Sequence, residues 1–192
     1  MKLLLSMVLL ATSATLYSQG TISKEEHRFI TDYLKRTEAD MIYTLRGIDE
    51  RIWTKKSSTD SWSPAECAEH VLLAERGLMA QIKKALAGES GQDDLRANDA
   101  WLIGKISDRG VKVQTPLNPK HGQIKKEEVI RELQASRAEI LEFLKDDSLG
   151  LRNHYGRSPY GKADVYQLLI VVAGHSMRHT AQIQEILNAL KS

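Results

Sequence analysis

The sequence predicts an all-α protein, a four-helix bundle with one long insertion between its second and third long helices. Three observations carry this. Four segments repeat apolar residues at helical spacing, strand signals are almost absent, and no linker or low-complexity tract divides the chain. At 192 residues the chain suits a single domain, and 42% hydrophobic with 27% charged residues is an ordinary globular composition.

The first helix is predicted from Lys24 to about Ile52, with Ile30, Leu34, Met41, Leu45, Ile48 and Ile52 on one stripe and Gly47 as a weak point near its end. Ser63-Pro64-Ala65-Glu66 starts the second. Ser63 can cap, proline suits the first helical position, and Glu66 completes a capping box. This helix runs to about Ala87 and stops at Gly88, with Cys67, His70, Val71, Ala74, Leu78 and Ile82 facing inward. The insertion holds a short helix within Leu95 to Asp108, then a stretch with Pro116, Pro119 and Gly122 that suits neither helix nor central strand. The third long helix spans about Lys125 to Leu144. A glycine-rich loop is expected from Asp146 to Gly161, and the last and most apolar helix from about Lys162 to Leu190.

Residues 1–18 have the layout of a secretory signal peptide: Lys2, an apolar run from Leu3 to Leu10, then small and polar residues. The run is shorter than the roughly 20 residues that span a bilayer, so no membrane anchor is expected after its removal. Cleavage is expected after Ser18, leaving residues 19–192 as the domain, with a cut after Ala14 as the rival. This predicts an exported protein, periplasmic or extracellular. Lys plus Arg total 27 against 25 Asp plus Glu, a balance unlike the concentrated basic surplus of nucleic-acid binders. The single cysteine excludes an intramolecular disulfide and a cysteine-based zinc cluster. Cys67 reads as a small buried apolar side chain.

Of six histidines, His175 and His179 stand four residues apart on the last helix, hence on one face. Continuing the stripe of Leu168 and Val172 toward Ile183 and Ile186 points both imidazoles inward, where an unpartnered polar ring costs about 1–3 kcal/mol. His70, on the inner face of the second helix, can join them. Three imidazoles from two helices make the protein half of a catalytic metal site with an open position. Zinc, nickel, iron, copper and manganese all accept imidazole. A hydrogen-bonded core cluster of histidines is the alternative. His27 is expected at the surface, and His121 and His154 lie in loops that can fold over a bundle end. Trp62 reads as packing the start of the second helix, and Arg178 and Gln182 as partners for loop carbonyls.

Beyond these residues, the ordered set Trp62-Ser-Pro-Ala-Glu-Cys-Ala-Glu-His70, Asn98-Asp99, Asp108-Arg109, Thr115-Pro-Leu117 with Pro119 and Gly122, Arg137, Leu151-Arg-Asn-His154, Pro159, Gly161, Asp164-Val-Tyr-Gln167 and His175-Ser-Met-Arg-His179 resembles the DinB-like (DinB/YfiT) superfamily of metal-dependent enzymes. The resemblance implies a four-helix bundle of unusual connectivity, often a homodimer. It implies a divalent metal, zinc or nickel first and iron or manganese after them, on His70, His175 and His179. Its members include thiol-dependent transferases and maleylpyruvate isomerases. An exported chain departs from the thiol-dependent members, because low-molecular-weight thiols are cytosolic reagents. The expectation is a metal-dependent hydrolase or transferase acting on a small molecule, or else a non-catalytic metal- or ligand-binding bundle. Glu69, Asp99 and His154 are the candidate catalytic groups, and Arg109 is the candidate anion-binding group.

Overall fold

The computed structural model describes residues 20–111, 118–119 and 122–191. The expected signal segment lies outside these residues, as does His121. The four predicted long helices are present: α1 (Lys24–Arg46), α2 (Pro64–Leu86), α4 (Lys126–Phe143) and α5 (Val165–Ala189). The insertion carries the short helix α3 (Asp99–Ser107), which packs on α5. None of these helices is long and apolar enough to cross a membrane.

Helix starts follow local chemistry. Ser23 with Glu26, Ser63 with Glu66, and Asp164 with Gln167 each form a capping box, two orphan N–H groups being satisfied reciprocally. Two boundaries differ from expectation. α1 stops at Arg46 with Gly47 as its cap, and a separate 3₁₀ turn at Glu50–Ile52, capped by Asp49, turns the chain toward Trp53. The periodic pattern runs through this break because Ile48 is still buried. The last helix begins at Val165, because the residues before it form a hairpin of β1 (Tyr155–Ser158) and β2 (Gly161–Asp164). Gly161 takes φ +115° at its turn, a conformation that an L side chain resists.

Around the bundle the neighbours run α1, α5, α2, α4, so that α1 packs on α5 and α4, and α2 on α5 and α4. Helices consecutive in sequence, α1 with α2 and α4 with α5, therefore sit across the diagonal. Directions follow from single contacts. Arg76–Glu132 and Lys83–Glu139 advance seven residues together, so α2 and α4 run parallel. Tyr166 meets Glu26 and Thr180 meets Met41, so α1 and α5 run parallel. Lys126 bonds the Ile48 carbonyl while Arg137 bonds that of Leu34, so α4 opposes α1.

The apolar core falls into two clusters. One surrounds the first half of α5 (Leu168, Leu169, Ile170) with Ile30, Leu34, Ile82, Ile106 and Ile140. The other gathers Met41, Leu45, Trp53, Cys67, Val71, Leu133 and Ile183. Between them lie buried polar side chains from all four long helices: Thr37, Glu75, Arg137 and Ser176. The histidines stand at this level of α2 and α5.

Candidate metal centre

His70 is the seventh residue of α2, and His175 and His179 lie on either side of the midpoint of α5. Their Nε2 atoms converge. His70 and His179 each approach His175 at 3.2 Å, and the three candidate ligand atoms all lie within 4.8 Å of one another. A tetrahedral ion with bonds of 2.0–2.1 Å would separate its nitrogens by about 3.3 Å. The spacing thus matches that of imidazoles sharing one ion.

The electrostatics agree. Burial first, then His70 and the Arg178 guanidinium, pull His175 down to about 3. Burial, then the other two histidines, also holds His179 well below its ordinary value, with Gln182 pulling weakly the other way. Both rings are therefore neutral near pH 7, the form in which imidazole is a ligand. The Nε2 of His175 has one ring position with which to serve two nitrogens at 3.2 Å, so hydrogen bonding within the cluster satisfies it poorly. A shared cation satisfies all three.

Trp62 forms a wall of the site. Its ring stacks near-parallel on His179 at 6.0 Å between centroids and tilts against His70 at 4.8 Å. Sequence reasoning gave it only a packing role; its place eight residues before His70 and next to a helix cap was the available signal. From Trp62, His70 and His179 a cavity of about 880 Å³ opens, its lining mixed between polar groups such as Ser61, Asn118, Gln182 and the Arg109–Glu185 pair and the apolar surface of Ile186 and Ala189.

The other expected residues divide. Arg109 reaches this cavity, but its guanidinium is held by Glu185 in a two-pronged ion pair with contacts of 2.6 and 3.2 Å. Arg178 satisfies loop carbonyls, as expected, bonding those of Ile106, Asp108 and Val111 at the end of α3. Glu69 accepts the Gly122 N–H at 3.1 Å and so fastens the insertion to α2. Gly122 has φ +59°, and a Cβ there would meet the Glu66 side chain at 2.9 Å. Cys67 is buried, its thiol pushed up to about 12 by desolvation, which keeps it protonated.

Asp99 and His154 are not brought to the triad. Asp99 binds Arg152 and the Gln167 amide. Gln167 precedes His175 by eight residues, about 12 Å of helix. His154 turns its Nδ1 to the Gly150 carbonyl at 2.9 Å, and its own carbonyl takes the Val165 N–H at the start of α5. Both serve the far end of the bundle. His27, expected at the surface, is half-buried with its Nε2 at 3.0 Å from the Leu144 carbonyl.

A bundle of four helices, its sequence neighbours set on the diagonals and a three-histidine cluster between α2 and α5, defines a class of proteins suited to one metal ion. The chain belongs to the DinB superfamily, whose family model matches residues 33–183. The fold is shared with YfiT from Bacillus subtilis, described as a probable metal-dependent hydrolase with an unusual four-helix bundle topology. The two are 14% identical, with a TM-score of 0.63 over 91% of this chain and 93% of that one. No curated protein matches the sequence.

Proposed function

We propose that the protein is a metal-dependent enzyme, a hydrolase or group transferase acting on a small polar molecule, with one divalent ion on His70, His175 and His179. The observation that carries this reading is the approach of the His70 and His179 Nε2 atoms to that of His175, each at 3.2 Å, beside a cavity of about 880 Å³. Three protein ligands leave an open position, as catalytic sites do and closed structural sites do not. The description of YfiT as metal-dependent supports the same reading. When bound, the ion would supply Lewis acidity toward a water, oxygen or thiol. The chain's own part is to hold three imidazoles in place, to cover one side with Trp62, and to offer polar groups such as Gln182 and Ser61 to the substrate. Zinc and nickel are the first candidates for the ion, as the family resemblance implies, and imidazole suits both.

Elemental analysis tests the site. Purified wild-type protein is expected to carry about one divalent ion per chain. His175→Ala is expected to carry close to none while keeping its helical circular dichroism. Equal metal in the two would instead favour a hydrogen-bonded histidine cluster.

Export is part of the proposal, supported by the apolar run from Leu3 to Leu10 and the polar residues after it. Expression with the native leader is expected to give secreted or periplasmic protein whose first residue is Gln19. Intact Met1 in a cytosolic fraction would refute this.

A further inference from the structure

We infer that the buried Arg137–Glu75 pair is a positioning device for the metal centre, setting the register of α2 against α5 so that His70 meets His175 and His179. The inference rests on the metal reading above and extends it to residues that touch no ligand ring.

The triad is split between two helices, so its geometry depends on how α2 and α5 are placed along and around their axes. Apolar packing holds helices together but is non-directional. Hydrogen bonds from a guanidinium have a fixed fork geometry. Arg137 comes from a third helix, α4, and is 2% exposed. Its Nη2 donates to Glu75 Oε2 on α2 at 2.7 Å and to Ser176 Oγ on α5 at 3.0 Å. One nitrogen thus bridges the two metal-bearing helices. Ser176 directly follows His175, and Glu75 lies five residues after His70, about 7.5 Å along α2. The remaining donors are also engaged. Nε reaches Glu75 Oε1 at 3.3 Å, and Nη1 reaches the Leu34 carbonyl at 2.8 Å and Thr37 Oγ1 at 3.2 Å on α1. All five N–H groups of the guanidinium therefore have partners on the other three long helices.

Stability alone does not account for this arrangement. A buried ion pair gains little over well-packed apolar side chains of similar volume, because desolvation of both charges offsets their attraction. The apolar clusters on either side show that this sequence can fill the bundle with aliphatic residues. What an apolar pair cannot supply is a directional tie between α2 and α5, placed next to the residues whose relative position a metal site needs to within a fraction of an ångström.

The double variant Glu75→Leu/Arg137→Met separates positioning from folding, because it removes both charges together. Zinc affinity by chelator competition and the visible spectrum of the cobalt(II)-loaded protein are compared with wild type, alongside thermal unfolding of the metal-free forms. The expected result is a folded, cooperative double variant whose zinc affinity falls on the order of tenfold or more, with a changed cobalt(II) spectrum. Wild-type affinity and spectrum in a folded double variant would overturn the proposal. If the double variant does not fold, Ser176→Ala decides: besides a 3.4 Å bond to the Val172 carbonyl within α5 it cuts just the tie from Arg137 to α5, a several-fold loss of zinc affinity supports the proposal, and unchanged affinity overturns it. Wild-type protein that takes up neither ion would refute the metal reading itself, which is distinguishable from retained binding in the variants.

Discussion

Replacing Arg152 by methionine is expected to destabilise the protein by about 3 kcal/mol at pH 8, and by less at pH 5. Arg152 is buried at the end of the bundle away from the histidines and is the shared counter-charge of three carboxylates. It reaches Glu26 at 2.5 Å, Asp99 at 2.6 Å and Asp164 at 3.0 Å, and its guanidinium lies 3.8 Å from the centre of the Tyr166 ring. Asp164 also caps α5. Its burial pushes the carboxyl up to about 6 even though Arg152 pulls it back. The unfolded carboxyl titrates near 3.8, so above that pH the native state holds the proton longer than the unfolded state does. The contribution of Asp164 to stability therefore falls as pH rises from about 4 through 6. Without Arg152 that fall extends to higher pH. Glu26 adds in the same sense: against burial, which raises it, hydrogen bonds from Ser23 and Arg152 hold it low, and the variant loses the second of these. Urea unfolding of wild type and variant at the two pH values checks this. An equal loss at both would show that Arg152 acts by packing alone.

Arg137→Met alone is expected to cost about 3–5 kcal/mol, since it leaves the Glu75 carboxylate 3% exposed with no counter-charge. Adding Glu75→Leu is expected to recover most of that loss. A double-mutant cycle by urea denaturation reads the coupling directly. A double variant no more stable than the single one would mean that the backbone around the pair cannot close over apolar side chains. The loss is a large fraction of the 5–15 kcal/mol that holds a typical domain together, so the single variant is also expected to express poorly.

Features coded by neighbouring residues were readable in the sequence. The start of α2 follows from Ser63-Pro64-Ala65-Glu66, and the pairing of His175 with His179 follows from helical spacing. The inward direction of both rings follows from the apolar stripe of α5, and His70 shares the inner face of α2 with Cys67 and Ala74. The hairpin was not readable. Its strands are four residues each, contain Gly156 and Gly161 and meet at Pro159, and are too short for alternation to show. The same hairpin delays the start of α5 to Val165, although the capping pair Asp164 and Gln167 was present to mark it. Asp99 and His154 are chemistry-bearing residues in the insertion and in a loop, but whether either segment covers the histidine end of the bundle depends on chain connectivity. Both go to the opposite end, where Arg152 and the Gly150 carbonyl hold them.

By itself the sequence determined the helix count, the insertion, the caps, and a set of three histidines able to meet, because each depends on contacts within a turn or two of one helix. Tertiary structure alone decided the rest. It placed α1 across the diagonal from α2, aligned α2 against α5 so that His70 Nε2 approaches His175 Nε2 to 3.2 Å, laid Trp62 on two of the rings, and ran one arginine through the middle of all four helices. Nearly all of these depend on pairs tens of residues apart or more, such as Arg137 with Ser176, His70 with His175 and Trp62 with His179. No periodicity along the chain encodes such pairs; they exist only once burial of the apolar faces has chosen which helices are neighbours.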